Sequence, residues 1–98
     1  MNDENNIDFL HTLEEVIESR KDARTDESYT AKLFANGPSR MAQKVGEEGV
    51  EVALASVVGT REDILCATAD LIYHLLVLLN QHDLSFADVV AELEARHR

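Results

Sequence analysis

The sequence predicts an all-α fold of three main helices, a short one and short connections. Three observations carry this. Pro occurs once and Gly four times in 98 residues. Ala, Leu and Glu, which enter helices readily, are abundant. Apolar residues recur at three- and four-residue spacing, and no stretch alternates as a half-buried strand does. A chain of this length makes one domain, read here as 1–98 with residues 1–6 flexible. So small a helical domain has a thin core, and a second copy is expected to cover its leftover apolar faces.

Each element has its own signal. Asn6 or Asp8 is placed to cap a first helix, in which Ile7, Leu10, Leu13, Val16 and Ile17 fall at helical spacing and which is expected to reach about Ala23. Lys21 to Thr30 is polar and aperiodic, a loop. Tyr29 to Ala35 is long enough for one or two turns before the break at Gly37-Pro38. A long helix then opens near Pro38 or Ser39, where proline's missing N–H is harmless, and stops at Gly59. Gly46 and Gly49 lie inside it at roughly 1 kcal/mol each relative to Ala. Close approach of another backbone or a ligand is the expected reason for them. Thr60 with Asp63 starts the next helix, to about His82, and Ser85 with Asp88 starts the last, Phe86 to about Arg96. The helix after Thr60 is apolar over most of its circumference, so Leu75 to Leu79, with Val77, Leu78 and Leu79 foremost, are expected to meet a partner subunit.

Charge and cysteine content exclude several classes. Nineteen Asp and Glu against nine Lys and Arg leave a formal net charge of −10, which repels a nucleic-acid backbone. The single cysteine, Cys66, permits no internal disulfide, as in a cytosolic protein. Met1 to Asn6 lacks the basic end and apolar stretch of a signal peptide, and the run Leu75 to Leu79 is far too short to span a membrane. The expected location is the cytoplasm.

Two helices carry the residues suited to chemistry. On the helix after Pro38, Arg40, Lys44, Glu47, Glu48, Glu51 and Ala55 share a stripe roughly 100° wide. On the next, Asp63, Ala67, Asp70 and His74 align, with Asp70 in an otherwise apolar setting. If the two helices pack, Glu47, Glu48, Glu51 and Asp70 form a carboxylate cluster that needs a cation, and oxygen ligands of this kind suit Mg²⁺. Arg40 and Lys44 then lie within reach of phosphates. A solvated face with an i,i+4 Lys44–Glu48 pair fits the same spacing, as does a buried ion pair for Asp70 and an interior role for His74.

Three runs in order resemble a known family: Ser28-Tyr29-Thr30-Ala31-Lys32-Leu33, then Lys44-Val45-Gly46-Glu47-Glu48 through Glu51, then Ala69-Asp70-Leu71-Ile72-Tyr73-His74 through Leu79. They are similar to phosphoribosyl-ATP pyrophosphohydrolase, an enzyme of histidine biosynthesis within the all-α nucleoside triphosphate pyrophosphohydrolases. The resemblance implies four-helix-bundle-like packing in a dimer or higher oligomer, and Mg²⁺-dependent hydrolysis of phosphoribosyl-ATP to phosphoribosyl-AMP and pyrophosphate. It implies Glu47, Glu48, Glu51 and Asp70 as catalytic metal ligands, with Glu47 the carboxylate best placed to accept a proton from water. It implies Lys32, Arg40, Lys44, Tyr73 and His74 as substrate-binding residues, with Tyr29 a further ring able to stack. The superfamily signature, E-E-x-x-E and then E-x-x-D, departs at Ala67, where a Glu belongs; Asp63 or a water is the expected substitute. Hydrolysis of other nucleoside triphosphates, and a non-catalytic acidic helical binding module, are the alternatives.

Overall fold

The computed structural model describes residues 3–98, with side chains from residue 6 onward. Of the expected flexible start at 1–6, Met1 and Asn2 lie outside the described residues, and a 3-10 helix spans Asp3–Asp8. It runs directly into α1 (Phe9–Arg20). Asp8 has helical backbone angles and makes no side-chain cap bond, so α1 begins as a continuation, not at the cap that Asn6 or Asp8 was expected to supply. It also ends three residues short of Ala23, in turns closed by Lys21 N–H on the Glu18 carbonyl and Ala23 N–H on that of Arg20. α2 (Tyr29–Ala35) is the segment expected to form one or two turns, and Ser28 caps it, its hydroxyl accepting from Ala31 N–H at 3.1 Å.

Gly37 has a φ of +87°, a left-handed conformation that glycine adopts without steric penalty, and it turns α2 into α3 (Gly37–Val58). Pro38 sits in the first turn of α3 as expected. Gly59 ends α3: a Cβ there would lie 2.8 Å from the Ala55 carbonyl oxygen, so any larger residue would push the turn open. Thr60 and Asp63 then form the full reciprocal capping box of α4 (Arg61–Gln81), and Ser85 and Asp88 form that of α5 (Phe86–Arg96). All five helices, and no strand among the described residues, make the fold all-α.

α3 and α4 form a hairpin through the two-residue link Gly59-Thr60, and its two ends differ. α1 packs on α4, and α2 packs on both hairpin helices. The core sits under them: Ile17, Leu33, Met41, Leu76 and Val77 are buried, with Leu13, Val45 and Ile72 packed around. The linker end of the hairpin is bare. Val57 is 80% and Val58 81% exposed, and Val50, Leu54 and Leu65 are more than half exposed. This corrects the reading of the Leu75 to Leu79 run. Leu76 and Val77 lie inside the chain's own core, and Leu75, Leu78 and Leu79 are half-buried there. α1 and α2 cover that surface, so the leftover apolar face lies at the other end. For Gly46 and Gly49, a Cβ at either would meet nothing within 4 Å, so among the described residues no other element of this chain makes the close approach expected of a backbone or a ligand.

α5 buries no residue completely. Phe86 tucks against the core, and its backbone N–H donates to Glu14 of α1 at 2.8 Å. At the other edge of α1, the Asn80 amide donates to Glu18 at 2.9 Å. That bond, aided by the Lys21 ammonium, holds the Glu18 carboxyl below its ordinary value of 4.5. No helix among the described residues is long and apolar enough to cross a membrane.

Candidate active site

The bare end of the hairpin carries a groove between α3 and α4. Glu51 and Ala55 line one wall, and Asp63, Ala67 and Asp70 line the other. Helical spacing explains both walls. Residues 51 and 55 are one turn apart on α3, and 63, 67 and 70 step one turn at a time along α4. Both Glu51 and Asp70 are exposed, so water reaches the space between them. Asp70 is thus not the buried ion pair that its apolar neighbours allowed. Position 67 faces the groove between Asp63 and Asp70, where the signature would place a Glu. Asp63 can replace that Glu only in part, since one of its oxygens accepts from the Thr60 N–H at 2.9 Å to cap α4.

Glu47 and Glu48 stand apart from this pair. Each is bonded one turn back along α3: Glu47 accepts from the Gln43 amide at 3.1 Å, and Glu48 pairs with Lys44 at 3.5 Å. The Lys44–Glu48 pair is partly shielded, with side chains 21% and 13% exposed. Among the described residues, no three His, Cys, Asp or Glu side chains converge closely enough to hold a metal by themselves. The donor set therefore suits an ion that keeps several waters and takes further oxygens from a bound phosphate. Mg²⁺ fits that description, held by one or two carboxylates. Lys32 and Arg40 are exposed, on α2 and the start of α3.

His74 and Tyr73 turn inward. His74 is 6% exposed, and both ring nitrogens have partners: Nδ1 lies 2.7 Å from the Asp70 carbonyl oxygen and Nε2 2.9 Å from the Tyr29 hydroxyl. A carbonyl only accepts, so Nδ1 is assigned the hydrogen and the Tyr29 hydroxyl donates to Nε2. The Tyr73 hydroxyl bonds the buried Thr30 hydroxyl. The rings of Tyr29 and Tyr73 stack with centroids 6.4 Å apart at 24°. His74 therefore has no free nitrogen for a substrate, and its interior role is the one seen. The serine at 28 was an available signal that a helix starts at Tyr29, but no local signal shows that this helix seats Tyr29 and Thr30 on α4.

With this geometry in place, relatives decide the family. The profile of the phosphoribosyl-ATP pyrophosphohydrolase family matches residues 10–97. The chain belongs to that family. It is similar to the histidine biosynthesis bifunctional protein HisIE of Vibrio cholerae, 51% identical over 96 residues, which is 98% of this chain and 46% of that protein. The HisIE protein of Campylobacter jejuni is 56% identical over 90 residues, 92% of this chain and 44% of its own length. The chain thus spans about half the length of these relatives.

Proposed function

We propose that this chain hydrolyses phosphoribosyl-ATP to phosphoribosyl-AMP and pyrophosphate, a step of histidine biosynthesis. The observation that carries the reading is the pair Glu51 and Asp70, facing one another across an open groove in a chain of this family. Glu51 and Asp70, with Glu48 once Lys44 turns to a phosphate, would hold Mg²⁺. When bound, the ion supplies charge neutralisation and polarisation at the phosphorus under attack.

This chain's own residues do the rest. Glu47 is exposed, one of its oxygens accepts from the Gln43 amide, and the other takes the proton from the attacking water. Lys32, Arg40 and Lys44 bind the phosphates of a substrate that the protein's charge of −10 would otherwise repel. The bare apolar end formed by Val50, Leu54, Val57, Val58 and Leu65 is covered by a second copy, making a homodimer whose four hairpin helices pack as a bundle. A cytoplasmic location fits the single, exposed thiol of Cys66.

The test is pyrophosphate release from phosphoribosyl-ATP and from the common nucleoside triphosphates, each with and without Mg²⁺. Turnover of phosphoribosyl-ATP alone, and only with the ion, supports the reading. Equal turnover of ordinary triphosphates would point to a general pyrophosphohydrolase. Ala67 favours one further reading, because the groove has no carboxylate at the position where the signature places a Glu. A folded protein with no turnover of any triphosphate would make it an acidic helical binding module. Sedimentation at micromolar concentration checks the dimer, and a monomer there would remove it.

A further inference from the structure

Three rings meet where α2 crosses α4, and two of them are committed to the interior. His74 is buried with both nitrogens engaged, and Tyr73 is half-buried with its hydroxyl on Thr30. Tyr29 is different. Its hydroxyl is tied to His74, yet the residue remains 52% exposed. A tyrosine anchored at its polar tip and backed by a second ring is a flat apolar surface whose orientation is set before any ligand arrives.

Its neighbours give that surface a direction. Lys32 is exposed one turn further along α2, on the same face as Tyr29. Asp70 lies one turn before Tyr73 and His74 on α4, about 5 Å along the axis, where the carboxylate groove begins. A ring face, an exposed ammonium one turn away and a carboxylate groove one turn from the ring's anchor are what a nucleotide's base, phosphate and ion-bound polyphosphate require.

We propose that Tyr29 is the base-stacking residue of the substrate site, its ring held ready for a purine by the bond to His74. The proposal rests on the nucleotide-hydrolysis reading above and adds a specificity-determining residue to it. Stacking is indifferent to how the phosphates are handled, so its loss weakens substrate and transition state alike.

Two substitutions and one measurement on the unaltered protein test this. Tyr29→Leu removes the flat face, and KM for phosphoribosyl-ATP is expected to rise about tenfold, the scale of one base–aromatic stack, with kcat unchanged. Tyr29→Phe keeps the ring and is expected to stay closer to the parent in KM. In the unaltered protein, added AMP should move the Tyr29 ring-proton NMR signals more than those of Tyr73, and inorganic pyrophosphate should not. This last arm holds whether or not the leucine variant folds. An unchanged KM in folded Tyr29→Leu overturns the proposal. So do Tyr29 signals that stay still with AMP or respond equally to pyrophosphate. If the unaltered protein meanwhile turns over phosphoribosyl-ATP, only the role of Tyr29 is lost; no turnover at all removes the reading beneath it.

Discussion

The two ends of the α3–α4 hairpin are built from the same helices and do opposite work. At one end, α1 and α2 lie over Met41, Leu76 and Val77, which are essentially inaccessible. At the other, Val57 and Val58 stand in solvent beside a groove holding Glu51, Asp63 and Asp70. Apolar burial holds the fold at the first end. The second end adds little burial, and its exposed carboxylates are left open to a ligand. Stability and chemistry are thereby separated along one pair of helices, and changes at either end should leave the other's property nearly untouched.

The largest expected effect is at the covered end. Met41→Ala opens a cavity among Ile17, Leu33, Leu76 and Val77 and should cost about 2–5 kcal/mol in a denaturant titration. Glu51→Gln, at the bare end, should leave that titration unchanged or slightly improved while lowering turnover at least about a hundredfold. Near-parent turnover would remove Glu51 from the ion's ligands. Ala67→Glu restores the side chain that the signature requires, in a position that faces the groove. The Mg²⁺ concentration giving half-maximal rate should fall about tenfold, and coincident Mg²⁺ titrations would show that residue 67 has no part in holding the ion.

The smallest effect returns to the covered end and depends on pH. The Glu18 carboxyl is lowered by the Asn80 amide and Lys21, so the folded chain takes up that proton less readily than the unfolded one. Its contribution is complete above the ordinary value of 4.5 and fades as pH falls through the lowered folded value. Glu18→Gln should flatten that part of the stability curve, read from melting temperature against pH, by lowering it slightly near neutrality and leaving it unchanged at low pH, where the carboxyl is protonated in both states.

Much of this was legible in the sequence because it is local. Thr60 with Asp63 and Ser85 with Asp88 each place a helix start within one turn, and both capping boxes are present. The spacing that put Asp63, Ala67 and Asp70 on one face of α4 is a property of the helix alone, and all three line one groove. What escaped depends on neighbours. Periodicity shows that Leu75 to Leu79 must be covered, but not that α1 and α2 of the same chain cover them. It places Glu47, Glu48 and Glu51 on one stripe and allows the Lys44–Glu48 pair that is present, but does not show that Gln43 bonds Glu47. It marks His74 as polar amid apolar residues, while the partner satisfying it, Tyr29, lies 45 positions away.

The attachment of α5 has a consequence for how the molecule opens. The helix buries no residue completely, and its start is held by Phe86, whose ring packs against the core and whose N–H donates to the Glu14 carboxylate of α1. Little apolar surface must be exposed to release it, so α5 detaches as a unit while the hairpin stays closed. Its amide hydrogens should exchange with deuterated solvent through that partial opening. The amides around Leu76 and Val77 must instead wait for the whole chain to unfold, and a single exchange time course would resolve the two as separate populations.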